Sequence, residues 1–346
     1  MDNKIDFQQA AQKLKDKQSK ERWSILFKAL KDMISLQPWQ YMKPTDTLAY
    51  IPQNEMRTVF FQCEQQEDEV LLQIYPTEYA FGTEVEVSKG EKEVKRQQIE
   101  RDCITIVLTE KERLSKEMRE KMKKHGVSYP KKMWPVLYRK RYGYPIALLE
   151  EDEILFLIHS LGHFMMEIQL IQNKYDTVGF EQGRMMLRFF DAKQDLWVNA
   201  AVPCSLPNVE KDVLQIHEDS AIFKRLQSVP TSETIKKVEF DFGWETVATQ
   251  RNIREVPCFH AVVTLTDRDT EEALYTYACA PDELVDCAIS AWCELIQKHG
   301  KPEILYISRA RSHQIFADFA EKLGIKMKRV KKLPGAERVL KAQETV

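Results

Sequence analysis

The sequence predicts an α+β protein in two parts: a mixed α+β domain over 1–232, then an α/β domain over 233–346 with a three-stranded meander followed by α-β-α-β. Three observations carry this. Short runs with two-residue alternation, such as "KVEFDF" and "FHAVVTLT", interleave with longer runs of three- and four-residue spacing. After residue 233 the strand and helix signals follow one another with recognisable turns between them. Pro230, Thr231 and Ser232 interrupt the pattern between the two parts.

The first domain opens with a helix through "RWSILFKALKDMISL", where Trp23, Leu26, Phe27, Leu30, Met33 and Ile34 form one apolar stripe. Pro38 ends it, lacking an amide donor. Strands "LAYI", "TVFFQC" and "VLLQIY" follow, with Asn54 and the acidic run "QQEDE" in the turns. Residues 88–101, charged and poor in apolar side chains, predict an exposed linker or surface helix. "CITIVL" reads as a strand, after which Thr109 and Glu112 have the spacing of a capping box. The helix they open should close at Gly126. "YPKKMWPVLYRKRYGYP" predicts an ordered irregular segment. A long helix over roughly 150–172, a hairpin of "RMMLRFF" and "LWVNAAV", and a helix near "DSAIFKRLQ" complete the domain.

In the second domain, strands near 237–242, 259–266 and 273–279 predict an antiparallel meander. A helix from Pro281 to Lys298, a strand at 303–308, a helix from Ser312 to Leu323 and a strand through "IKMKRV" come next. The 303–308 strand should run parallel to the first.

Composition narrows the function. Apolar residues are 43%, charged residues 30%, and the net charge is −2, ordinary for a globular protein and against a globally basic nucleic-acid binder. Seven dispersed cysteines without a CxxC pair exclude a zinc ribbon and a thioredoxin-like redox pair, and predict reduced, buried thiols in a cytoplasmic protein. The opening segment does not read as a secretory signal, and apolar runs such as "ILFLI" are too short to span a membrane. GxGxxG, GxxxxGK[ST] and GxSxG are all absent.

The stretch "FDFGWE … AVVTLTD … LYTYACAPDELVDCAISAWCELIQKHGKPEILYIS … FADFAEKLGIKMKRV" resembles the catalytic core of transposases and retroviral integrases, a ribonuclease-H-like fold. The whole chain resembles a bacterial family without an assigned activity. That family joins an N-terminal domain marked by Trp/Pro pairs, here "PW" at 38–39 and "WP" at 134–135, to a C-terminal domain of this kind. The integrase resemblance implies a magnesium site of two or three carboxylates, of which Asp241 matches the first and Glu337 is a candidate for the last. The second acid should close the 303–308 strand, where the chain reads Ser308-Arg309-Ala310-Arg311. Two guanidiniums there would repel a divalent ion, and Asp286 and Glu294 lie outside the apolar stripe of their helix. The expectation is therefore a degenerate metal site, no cofactor, and a non-catalytic binding or scaffolding module of unknown partner. The alternatives are a magnesium-dependent nuclease using Asp241, and a nucleic-acid binder.

The last alternative rests on charge. Residues 298–346 hold twelve Lys/Arg against five acids. Arg309, Arg311, Lys326, Lys328, Arg329 and Lys331 are the candidate contacts, set against the plainer reading of a lysine-protected edge strand. His159, His163 and Glu167 share a helix face at four-residue spacing but lack the HExxH glutamate, which predicts a solvated face. The cysteines read as buried structural thiols with no arguable pairing to His260 or His313.

Overall fold

The computed structural model describes residues 7–53, 55–89, 99–204, 213–217, 219–250 and 256–343. Asn54 and most of the 88–101 stretch therefore lie outside the described residues. Two compact units are present: one of Met1–Phe81, Asp102–Lys140 and Ile146–Leu206, the other of Gly82–Arg101, Arg141–Pro145 and Pro207–Val346. The sequence expectation placed the division at 232/233; the second unit is made of Pro207–Val346 together with two earlier segments.

The first unit holds α1 (Phe7–Leu36), β1 (Leu48–Tyr50), β2 (Val59–Gln66) and β3 (Glu69–Tyr75). After α2 (Glu78–Lys89), which is divided between the units at Phe81/Gly82, come β4 (Cys103–Thr109), α3 (Lys116–Lys124) and β5 (Trp134–Lys140). The unit ends with α4 (Glu151–Val178), β6 (Arg184–Asp191) and β7 (Leu196–Pro203). Its seven-stranded sheet has the order β5-β4-β3-β2-β1-β6-β7, antiparallel except where β1 runs parallel to β6. The expected α1 stripe is buried in full, from Trp23 to Ile34.

Four local expectations change. Most of "QQEDE" lies in strands, the turn being Glu67–Asp68 with Glu67 at φ 46°. Thr109 does not cap a helix: its hydroxyl donates to Glu69, and α3 is capped by Ser115, which accepts from the Met118 amide. Gly126 does close that helix region, at φ +64°. Residues 134–140, expected to be irregular, form the edge strand β5, where Pro135 needs no ladder donor on its open side. α4 is also long and apolar enough over Glu151–Asn173 to cross a membrane by length and composition, which the short run "ILFLI" did not indicate. Leu157, Leu161, Phe164 and Ile168 of that helix are buried in the core of the unit.

The second unit holds α5 (Ala221–Ser228), β8 (Lys237–Trp244), β9 (Ala261–Asp267), β10 (Ala273–Cys279) and α6 (Leu284–His299). β11 (Ile304–Ile307), α7 (Ala310–Lys322), β12 (Lys326–Arg329) and α8 (Pro334–Gln343) follow. The sheet order is β10-β9-β8-β11-β12. β8, β9 and β10 are antiparallel neighbours, whereas β11 is parallel to both β8 and β12. That order and direction are the ribonuclease-H-like arrangement the sequence predicts.

Both sheet faces are covered. Phe240 packs edge-on to Phe316 of α7, which also meets Trp292 of α6. On the opposite face, alternation turns Glu239 and Asp241 the other way. α8 lies there, with Leu340 against Gly243. Gly335 has to be a glycine, since a Cβ would stand 2.8 Å from Thr266 Oγ1. The fully buried Glu239 binds α8 to the sheet by accepting from the Ala336 amide at 3.1 Å, while Arg268 Nη1 compensates its charge at 2.6 Å.

Candidate functional site

The carboxyl ends of β8 and β11 meet where a ribonuclease-H-like sheet would carry its acids. Asp241 is on β8 as expected. β11 ends at Ile307, and the chain passes through Ser308 to Arg309, which is extended and opens α7. Arg309 Nε stands 2.7 Å from Asp241 Oδ1, a close ion contact rather than an aligned hydrogen bond. Its Nη1 donates to Glu100 Oε1 at 2.9 Å. Glu100 accepts a second bond, from the Trp244 indole at 3.1 Å, and the guanidinium lies over the Phe242 ring at 4.2 Å. The side chains of Arg309, Glu100 and Asp241 are only 10%, 10% and 9% exposed.

The result is one guanidinium between two carboxylates in a nearly dry site. Burial opposes the Arg309 charge, and Asp241 and Glu100 together outweigh it, leaving the group held more firmly protonated than usual. Arg309 thus supplies the positive charge that a divalent ion would bring, and it does so with fixed planar donors that suit two carboxylates. A magnesium ion does not fit this donor set: the guanidinium already contacts Asp241, and it stands where the second acid would be. Among the described residues no group of three or more His, Cys, Asp or Glu is placed to hold a metal.

The other candidate acids are elsewhere. Glu337 accepts from the Leu333 amide in the first turn of α8, and Asp286 and Glu294 are exposed on α6. Glu100 is the acid of this cluster that sequence reasoning missed, since 88–101 read as exposed; Ile99 and Glu100 are buried.

The basic residues have different surroundings. Arg309 faces inward, and Arg311 Nη1 donates to Gln314. Lys328 lies over Tyr306, whose other contact is Arg268, while Arg329 turns to the Ser308 carbonyl. Lys326 and Lys331 are exposed.

In the first unit, the "HSLGHFMME" face is not solvated. His159 is exposed, but Glu167 is fully buried, with no hydrogen-bond partner for either oxygen among the described residues. The buried face of α4 holds Ile154, Leu161 and Ile168, with Ile158 and Met165 packed at its margin, and is wide enough to take in Leu157, Ser160, Phe164 and Glu167 as well. Burial pushes Glu167 well above the usual carboxylate range. His163 stacks on Tyr50 and accepts from Arg188 Nε at 3.2 Å; burial, helped by Arg188, lowers it to about 4.

Two family models match the chain. Residues 23–188 match the family described as "Domain of unknown function (DUF7309)", and residues 222–342 match "Domain of unknown function (DUF6930)". No curated protein matches the chain. Among solved structures, the HTLV-2 integrase catalytic core domain in complex with magnesium, in its trimeric form, is 16% identical with a TM-score of 0.24, covering 33% of this chain and 67% of that one. The dimeric form has the same identity and TM-score, covering 31% and 65%. Similarity at that level adds nothing to the strand order described above, which carries the fold assignment.

Proposed function

We propose that the second unit is a binding or scaffolding module, without metal-dependent phosphoryl-transfer activity, on a ribonuclease-H-like sheet. The observation that supports this reading is the Arg309 guanidinium held between Asp241 and Glu100. A two-metal or one-metal nuclease needs carboxylates free to take a divalent ion that clamps the reacting oxygens. Here the first acid is engaged by an internal cation and the second position is that cation. The expected partner is a protein or small ligand, met in the cytoplasm, and no metal cofactor is required.

Incubation of the full chain with single- and double-stranded DNA and RNA in magnesium or manganese tests the reading. No cleavage above that of an Asp241→Asn control is expected. Metal-dependent cleavage that Asp241→Asn abolishes would establish the nuclease alternative instead.

A further inference from the structure

Past the end of β8, the chain makes a second constellation that owes nothing to the acid site. The Glu245 amide donates to the His260 carbonyl at 2.9 Å, continuing the β8–β9 ladder by one pair. Thr249 and Cys258 then exchange two backbone hydrogen bonds, of 2.9 and 3.0 Å. Cys258 and His260 are two residues apart on extended chain, so their side chains share a face. His260 Nε2 lies 3.9 Å from Cys258 Sγ, and His260 Nδ1 lies 3.1 Å from Glu245 Oε2 and 3.0 Å from Thr249 Oγ1.

The tautomer follows from those partners. An ionised carboxylate only accepts, so Nδ1 carries the ring proton and Nε2 presents its lone pair to the thiol. A nucleophile, a base, and a carboxylate orienting that base are the three parts of a thiol–imidazole nucleophilic site. Cys258 and His260 are 6% and 5% exposed, so the pair lies away from bulk water, while the Glu245 side chain is 38% exposed. Burial pushes up the thiols of Cys63, Cys204 and Cys293, Cys63 to about 12, and among the described residues none of the three has a histidine partner.

We propose that Cys258, His260 and Glu245 form a nucleophilic site for a small activated acyl group, such as that of an ester or thioester. His260 Nε2 takes the thiol proton and Sγ attacks the carbonyl carbon. The new C–S bond forms as the bond to the leaving oxygen or sulfur breaks, and His260 returns the proton to that leaving group. A base able to act next as an acid suits acyl transfer, in which a leaving group must be protonated. Glu245 is a positioning residue, holding the tautomer and balancing the imidazolium. The site is independent of the Arg309 reading, and either can fail alone.

Two measurements on the native full chain test it. Iodoacetamide labelling, mapped by peptide mass across pH 6–9, should modify Cys258 at pH 7 about tenfold faster than Cys204 and Cys293, although those two are more exposed. Glu245→Gln, isosteric and half-exposed, should move the midpoint of the Cys258 pH–rate profile upward and slow labelling at pH 7 about tenfold. p-Nitrophenyl acetate should leave one acetyl group on the Cys258 peptide, and none in Cys258→Ser. Labelling of Cys258 no faster than of Cys204, or a pH profile unmoved by Glu245→Gln, would overturn the activated thiol. Fast alkylation with no acetyl group captured would overturn the acyl assignment.

Discussion

Replacing Arg309 by Met keeps most of the side chain's length and its contact with Phe242 while deleting the charge between Asp241 and Glu100. Two carboxylates, about one-tenth exposed, would then face each other without a cation. At an effective dielectric of about 20, each ion contact is worth up to ~4 kcal/mol of Coulomb energy, against which the desolvation of the arginine is recovered. Removing one partner of a buried pair costs about 3–5 kcal/mol in comparable sites. The cation–π contact adds ~1 kcal/mol, of which a thioether on the same ring retains part. A loss of about 3–5 kcal/mol is therefore expected, a large share of a domain's typical 5–15 kcal/mol. Hydrogen exchange of the β8 and β9 amides in the full chain reads this locally, with no need for two-state unfolding of both units. The deficit should shrink as the pH falls from 7 toward 5, because protonation removes the uncompensated charges. The pairing of Arg309→Met with Asp241→Leu should cost less than the sum of the single changes, by ~2 kcal/mol or more. A loss below about 1 kcal/mol, or strict additivity, would refute the reasoning.

Gly335→Ala should lift α8 from β9, because its Cβ would stand 2.8 Å from Thr266 Oγ1 and 3.2 Å from Glu239 Oε2. A cost of about 1–3 kcal/mol is expected, read as faster exchange of the α8 amides. In the first unit, the raised Glu167 binds its proton more tightly folded than unfolded, so its contribution is present below its ordinary 4.5 and is lost as the pH rises through the raised value. Glu167→Met should therefore gain stability over the parent by an amount that grows between pH 5 and 9 in thermal melts. His163 has the opposite sign: lowered to about 4, it lets the unfolded chain bind more protons below 6.5, and stability falls between those values as the pH drops. The full shift corresponds to ~3 kcal/mol, and about half that after its partial exposure is discounted, so His163→Phe should flatten the acid limb. At the C-terminal edge, the division of basic side chains between faces predicts weak DNA binding with a log–log salt slope of about −2 to −3; a slope near −6 would favour the nucleic-acid alternative.

What was legible in the sequence, and what was not, follows from the range of the interactions. The order of β8 to β12 was readable because each strand alternates and each helix is striped, which are local signals. Asp241 was readable on the same grounds. That Arg309 stands where a second acid would be was readable from its place after "EILYIS"; that it pairs with Glu100 was not, because 209 residues separate them and nothing periodic marks Glu100. The sequence expectation denies Cys258 any pairing with His260, because that pairing needs the extended conformation just before β9, and Glu245 joins it only through the β8–β9 register, which no local pattern encodes. Glu167 was misplaced because the buried face of α4 is wider than one apolar stripe: beside Ile154, Leu161 and Ile168 it takes in Leu157, Ser160, Phe164 and Glu167, and only packing decides how far it extends. β5 was missed because Pro135 and the basic pair Arg139–Lys140 obscure its alternation, all of them tolerable at a sheet edge.

The most direct measurement is a manganese titration of the full chain, followed by the melting temperature and by calorimetry, beside Arg309→Ala and Asp241→Asn. With the guanidinium in place the native chain should show no saturable heat and no shift specific to Asp241. Arg309→Ala, with Asp241 and Glu100 freed, should gain metal-dependent stabilisation, which mass action sets at about 1 kcal/mol when the metal is at five times its dissociation constant. Saturable binding by the native chain that Asp241→Asn removes would contradict the claim that Arg309 stands in place of the metal.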